Sequence, residues 1–298
     1  MLVTGGAGFI GSNLANRLAA DDDVIAVDDT YLGTADNLDP EVEFVEASVL
    51  DDDFPADVDI LFHLAALSSR NMHESDPQRG CRVNVEGFVN TVERARKEGC
   101  ETVVYASTSS IYGSRTGPSS VDMEVEARTA YEASKLARER YAEYYANHHE
   151  MNMAGLRFFS VYQAFGGNEE HKGEYANTVA QFADAIASGE APQLFGDGSQ
   201  TRDLAHVSDV ARACEPAADH GLTGVYNVGT QEAYSFNEMV AMINDELGTD
   251  IDPEYIECPF DGYVHDTMAD YSTFHEATGW EPEISFEEGV GMVCESYK

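Results

Sequence analysis

The sequence predicts a doubly wound α/β fold: a parallel sheet with helices on both faces, and a smaller mixed domain after it. Three observations predict it. Short apolar runs alternate with longer helical stretches through the first half of the chain. Those runs lack the strict alternation of a half-exposed strand, as strands covered on both faces do. A glycine-rich turn follows the first run directly, between a strand and a helix.

Taken in order, the predicted strands are Leu2–Thr4, Val24–Val27, Val42–Val45, Ile60–Leu64, Thr102–Ala106 and Met153–Phe158. Each is short and bounded by turn or polar residues. A first helix is expected over Gly11–Ala20. A second starts at Asp76-Pro77, where Asp can cap and Pro fits the first turn, and stops at Gly99. A third covers Ala130–His148. After about residue 160 the pattern loosens, punctuated by Gly166-Gly167, Gly196-Asp197-Gly198 and Pro253. Ser235-x-x-Glu238 and Ser285-x-x-Glu288 are capping boxes that each start a helix. The expected division is residues 1–160 and 161–298, with Val207–Ala218 and Tyr226–Val228 returning to the main sheet.

Composition bounds the function. The 298 residues, a length suited to about two domains, are 43% hydrophobic and 24% charged, which is ordinary for a globular chain. No apolar run approaches the ~20 residues of a membrane span, and the start shows neither the basic nor the apolar region of a secretory signal. The charge is far from ordinary: 55 acidic against 17 basic residues, a net −38, with lysine only at 97, 135, 172 and 298. Such a chain repels nucleic-acid backbones. It also repels itself in dilute buffer, and concentrated salt screens that repulsion. The expectation is a salt-adapted cytoplasmic protein. Five widely spaced cysteines, with no metal-ligand spacing, fit a reducing compartment and no disulfide framework.

Gly5-Gly6-Ala7-Gly8-Phe9-Ile10-Gly11 contains Gly6-x-Gly8-x-x-Gly11, placed after a strand and before a helix. Glycines let the backbone turn sharply and approach a pyrophosphate, and the helix N-terminus behind them favours an anion. Asp28 closes the second strand. A carboxylate there accepts hydrogen bonds from an adenosine ribose and repels a 2′-phosphate, so NAD is expected over NADP. Tyr131-x-x-x-Lys135 puts two side chains on one helix face, and Thr108 ends the strand that starts near Thr102. A phenol becomes a useful base when nearby cations favour its ionised form. Thr108 can then hold a substrate hydroxyl in line.

With these motifs stand His63-Leu64-Ala65-Ala66, Asn84-Val85-x-Gly87, Ser107-Thr108-Ser109-Ser110-Ile111-Tyr112-Gly113 and Gly196-Asp197-Gly198-Ser199-Gln200-Thr201-Arg202-Asp203, all in order. Together they resemble an extended short-chain dehydrogenase/reductase of the NAD-dependent nucleotide-sugar epimerase/dehydratase family, over nearly the whole chain. The resemblance implies a Rossmann domain with a small C-terminal substrate domain, and a homodimer formed through two helices per subunit. It implies NAD held by Gly5, Gly8, Phe9, Ile10, Gly11 and Asp28, with Ser48 and Val49 by the adenine. Leu64, Ala65 and Ala66 would line the cleft, with Asn84 in support. Tyr131, Lys135 and Thr108 would be catalytic. Ser109, Ser160, Asn177, Phe195 and Arg202 would meet the nucleotide sugar, Asn177 and Arg202 at its diphosphate and Phe195 near its base.

The family's dehydratases carry Asp-Glu after the catalytic Thr, where this chain has Ser109-Ser110. Neither serine is a general acid or base near pH 7. Elimination of water is therefore disfavoured, and the expected activity is 4-epimerisation of a nucleotide sugar, UDP-glucose/UDP-galactose being the family's prior. A net reductase or dehydrogenase, a dehydratase of the same family and a non-catalytic dinucleotide-binding scaffold stand as alternatives. The substrate half departs from the family at Ser160, at Gln163, and at Pro259-Phe260-Asp261-Gly262-Tyr263, which lacks an Arg. His148, His149 and His171 are expected at the surface, His206 as structural, and Tyr112 as packing.

Overall fold

A computed structural model describes residues 1–51, 53–163, 168–259 and 263–298. The Gly166-Gly167 pair and Phe260-Asp261-Gly262 lie outside the described residues. The strands are β1 (Leu2–Thr4), β2 (Ile25–Asp28), β3 (Glu43–Glu46), β4 (Ile60–His63), β5 (Thr102–Ala106), β6 (Asn152–Phe158), β7 (Ser160–Tyr162), β8 (Gln193–Phe195), β9 (Thr201–Arg202), β10 (Leu204–His206), β11 (Gly224–Val228), β12 (Tyr234–Ser235) and β13 (Glu254–Ile256). The α-helices are α1 (Phe9–Leu18), α2 (Arg70–Ser75), α3 (Pro77–Cys81), α4 (Gly87–Lys97), α5 (Ala130–His149), α6 (Thr178–Ala187), α7 (Val207–Asp219), α8 (Phe236–Leu247), α9 (Ser272–Thr278) and α10 (Phe286–Glu295).

Seven strands form one parallel sheet in the order β11-β6-β5-β4-β1-β2-β3. The chain thus winds outward from β1 in both directions, which leaves a crevice at the carboxyl ends of the strands beside β1. Neighbouring residues along a strand serve opposite faces, as the period of two requires. Val3, Phe62 and Val104 pack with Leu14 of α1 and Val210 and Cys214 of α7. Leu2, Leu61 and Val103 pack with Phe88 and Val92 of α4 and Tyr145 of α5. The helix at 207–219 and the strand at 224–228 join this body. A separate core, including Phe182, Leu194, Met239, Phe286 and Val290, fills the C-terminal part around α6, α8 and α10. Both capping boxes form, at Ser235/Glu238 and Ser285/Glu288.

Two helices differ from expectation. The first begins at Phe9, not Gly11, because Gly8 in extended conformation is its N-cap and Gly11 sits inside the first turn. The stretch from Pro77 is continuously helical to Lys97, as expected, but widens into a π-helical turn over Arg82–Glu86 between α3 and α4. The widened turn accompanies Asn84, which is fully buried and hydrogen-bonded to Leu67.

Candidate active site

The crevice holds a cavity of about 500 Å³ at the carboxyl ends of β1, β2, β4 and β5. Its floor is the glycine turn. Gly5 has φ +69°, and its N–H and that of Gly6 donate to Val27 O at 2.8 and 3.2 Å. A Cβ on Gly11 would lie 1.9 Å from Gly5 O, and one on Gly5 2.6 Å from Ala65 N. Only glycine permits this close crossing of loop, helix and neighbouring strand. The first N–H groups of α1 have no partner within the helix and face the turn, a cradle for an anion.

Asp28 lies at the end of β2 on the cavity wall. Its Oδ2 accepts from Ala7 N–H at 3.2 Å and its Oδ1 from Thr30 N–H at 2.8 Å. Burial raises its pKa, and these backbone donors oppose the rise. Asp29 also lines the cavity, but its Oδ1 accepts from Tyr31 N–H. The carboxylate fixed against the glycine turn is Asp28.

Tyr131 and Lys135 project from the first turns of α5, whose N-cap is Thr129. Lys135 is 2% exposed, and its Nζ donates to Ala106 O at 3.0 Å. It stands 5.8 Å from the centre of the Tyr131 ring. β5 ends at Ala106, two residues before Thr108. Thr108 caps the short 3₁₀ turn Ser109–Tyr112, its Oγ1 3.0 Å from Ser110 Oγ. Burial raises the Tyr131 pKa, while a hydrogen bond with Thr108 and the charge of Arg138 lower it. Lys135 is driven well below its ordinary value, first by burial and then by Arg138. Arg138 thus joins Lys135, the neighbour the sequence pointed to, as a cation near the phenol.

Gly5, Gly8, Phe9, Ile10, Gly11, Asp28, Val49, Leu64, Ala65, Ala66, Thr108, Ser109, Tyr131, Lys135 and Ser160 all line this one cavity. Five predicted residues do not. Ser48 turns its Oγ to Leu50 N–H at 3.3 Å. Asn84 lies behind the wall, donating to Leu67 O and Ser134 Oγ and accepting from Leu67 N–H. Asn177 caps α6 by accepting from Val179 N–H. Phe195 and Arg202 meet elsewhere, around Tyr263: the rings of Phe195 and Tyr263 are 5.5 Å apart, and Arg202 lies 5.2 Å from the Tyr263 ring. The Arg202 guanidinium is occupied by Thr201 O, Val264 O and His265 O.

Sequence reasoning missed several groups. Arg138 is fully buried and donates to Asn84 O at 2.5 Å and Ala65 O at 2.7 Å. Its position three residues after Lys135, on the same helix face, was the available signal. His73 sits edge-on to Tyr131 at 5.5 Å. His171, expected at the surface, lines the cavity with Lys172 and lies 3.2 Å from Asn37 Nδ2. Burial and Lys172 lower its pKa. Nothing local in the sequence marks that fold-over of residues 168–175. His206 caps α7, accepting from Ser208 N–H, and Tyr112 does more than pack, donating to Asn227 and accepting from Arg157.

A glycine turn open to an anion, a carboxylate at the end of β2 and a Thr-Tyr-Lys set in one cavity are features of a dinucleotide-dependent enzyme of the extended short-chain dehydrogenase/reductase class. The chain belongs to the NAD-dependent epimerase/dehydratase family, whose profile matches residues 1–229. It is 35% identical to a UDP-glucose 4-epimerase of Mycolicibacterium smegmatis, over 100% of this chain and 98% of that one. Among solved structures, a UDP-glucose 4-epimerase from Thermotoga maritima with UDP-glucose superposes with TM-score 0.93 at 31% identity, covering 99% of this chain and 97% of that one. A UDP-glucose 4-epimerase from Thermus thermophilus with NAD gives 0.88 at 29%, covering 99% and 98%. NAD is the cofactor, and the cradle, which a Cβ on Gly5 or Gly11 would obstruct, fits it.

Proposed function

We propose that this enzyme epimerises C4 of a nucleotide sugar, UDP-glucose/UDP-galactose being the pair favoured by its relatives. The observation that carries the reading is the set Thr108, Tyr131 and Lys135 in one cavity with Ser109 and Ser110. These residues supply a base and no carboxylic acid beside it. NAD held by the glycine cradle would supply a reversible hydride acceptor for the C4 hydrogen. Tyr131, ionised, takes the proton of the sugar 4-hydroxyl, and Thr108 orients that hydroxyl. The resulting 4-keto sugar turns over in the pocket, and Tyr131 returns the proton to the 4-oxygen after reduction from the other face. Lys135 and Arg138 set the field in which the phenolate forms. Ser109 and Ser110 cannot run a dehydration, because a hydroxyl neither protonates a leaving group nor removes a C–H proton near pH 7.

A panel of UDP-, GDP- and dTDP-sugars in concentrated KCl, with products separated by chromatography and absorbance followed at 340 nm, tests this. The expected result is interconversion of UDP-glucose and UDP-galactose with no accumulating NADH. Stoichiometric NADH, or a 4-keto-6-deoxy product, overturns it.

The reading extends to assembly and place. Tyr141 and Tyr144 on α5 are 43% and 46% exposed, which supports a homodimer in which α5 is one of the joining helices. Sedimentation showing a monomer at micromolar concentration rejects it. Among the described residues no helix is long and apolar enough to cross a membrane. The five free cysteines, three of them buried, favour the reducing cytoplasm, and cell fractionation tests that.

A further inference from the structure

We propose that Tyr31 and Arg79 form a clasp across the mouth of the cofactor cavity and that this clasp slows release of the bound dinucleotide. The two residues come from different segments. Tyr31 follows β2, three residues beyond Asp28, and Arg79 lies in α3, beyond β4. Both line the cavity, and the Arg79 guanidinium carbon sits 3.8 Å from the centre of the Tyr31 ring, in cation–π contact.

The sheet order gives this contact its meaning. β1 lies between β2 and β4, and the glycine turn leaves from β1. A contact between the segments leaving β2 and β4 therefore bridges the end of β1. A dinucleotide reaching from Asp28, at the end of β2, to Tyr131, beside β5, has to cross that same end. The pair closes over its path, above the cradle for the pyrophosphate.

The charge pattern adds an independent argument. Acidic residues outnumber basic ones 55 to 17, yet among the described residues Arg79 has no carboxylate within ion-pair distance. Its cation remains available to the cavity. Tyr31 is 50% exposed, so about half of the side chain that meets Arg79 is open to solvent. A contact of this kind opens by side-chain rotation and needs no backbone rearrangement.

The test is the rate of NAD loss from the holoenzyme. Protein loaded with radiolabelled NAD in concentrated KCl is chased with excess unlabelled NAD, and retained label is followed on filters. Tyr31→Ala, Arg79→Ala and the double variant are compared, with melting curves to establish that each is folded. Each single substitution is expected to speed release roughly two- to fivefold, the range of one cation–π contact at an exposed site. The double variant is expected to release no faster than the faster single, and Tyr31→Phe to match wild type. A wild-type rate in Tyr31→Ala overturns the clasp. So does a double variant whose acceleration equals the product of the two singles, which describes two independent contacts.

Discussion

Burial acts on Tyr131 and Lys135 in opposite directions, lifting the phenol and lowering the ammonium, so both lean toward their neutral forms. Catalysis through a phenolate then loses rate as pH falls through the Tyr131 pKa. The Thr108 hydrogen bond favours the ionised phenol. Thr108→Val should therefore move the acid limb of the kcat profile to higher pH, and an unmoved limb would separate Thr108 from the base. Tyr131→Phe should lower kcat by roughly 10²–10⁴-fold, the usual worth of a general base. His63 gives a stability counterpart. It is fully buried, its Nε2 has no hydrogen-bond partner among the described residues, and burial holds its pKa well below 6.5. A lowered folded-state pKa means that the unfolded chain binds the extra proton first. The contribution is complete above about 6.5 and shrinks as pH falls, by up to about 1.4 kcal/mol per unit. Denaturant titrations should show a shallower loss between pH 6.5 and 5 for His63→Gln; an unchanged slope would clear His63. Tyr131 and Lys135 were legible because their spacing alone sets a shared face. Arg138 offered only its place three residues after Lys135, since a buried guanidinium answered by two carbonyls leaves no pairing pattern to read.

The segments between β4 and β5 show where element boundaries escape sequence. Asp76-Pro77 does start a helix, with Asp76 capping Arg79 N–H at 3.0 Å. What it cannot announce is the turn of α2 before it, or the widened turn that buries Asn84 behind the catalytic helix. These depend on tertiary partners: Asn84 on Leu67 and Ser134, His73 on Leu67 O at 3.1 Å. α2 and α3 pack through His73 and Gly80, where a Cβ on Gly80 would lie 2.3 Å from His73 Nδ1. With His73 held at its other nitrogen, the ring cannot swing aside cheaply. Gly80→Ala should cost about 1–3 kcal/mol, the usual penalty of overpacking. In a His73→Ser background that cost should largely vanish. Equal costs in the two backgrounds, measured by urea unfolding, would show that the helices do not meet there. The strands β1 to β6 were legible to within a residue because buried runs between turns have few other readings, whereas the short strands after residue 158 were not, β11 excepted in part. The substrate half was less so: Asn177 as a helix cap and Arg202 bound to three carbonyls serve local structure first.

At the scale of the molecule, charge sets the conditions under which the fold survives. The net −38 is spread over 12997 Å² of surface, and the ion pairs formed are mostly local ones along single helices, such as Arg70–Glu74 and Arg82–Glu86. Exposed pairs of that kind contribute little, ~0–1 kcal/mol each. They cannot offset the repulsion among so many unpaired carboxylates, which act over about 10 Å at 0.1 M salt and about 3 Å at 1 M. Unfolding relieves the repulsion by spreading the charges apart, so dilute buffer favours the unfolded chain and concentrated salt the compact one. The buried Arg157–Glu139 pair, at 2.8 Å and with both side chains under a tenth exposed, lies beyond the reach of screening ions, so it keeps its contribution in salt. Salt should therefore raise stability on balance. The melting temperature is expected to be higher in 2 M than in 0.1 M KCl by roughly ten degrees or more, several kcal/mol for a chain of this size. Replacing surface acids whose side chains make no hydrogen bond among the described residues, such as Asp21 and Asp22, by Asn should narrow that gap, since each removes repulsion without touching the core. Identical melting in both salts would mean that this charge is tolerated rather than tuned to a saline interior.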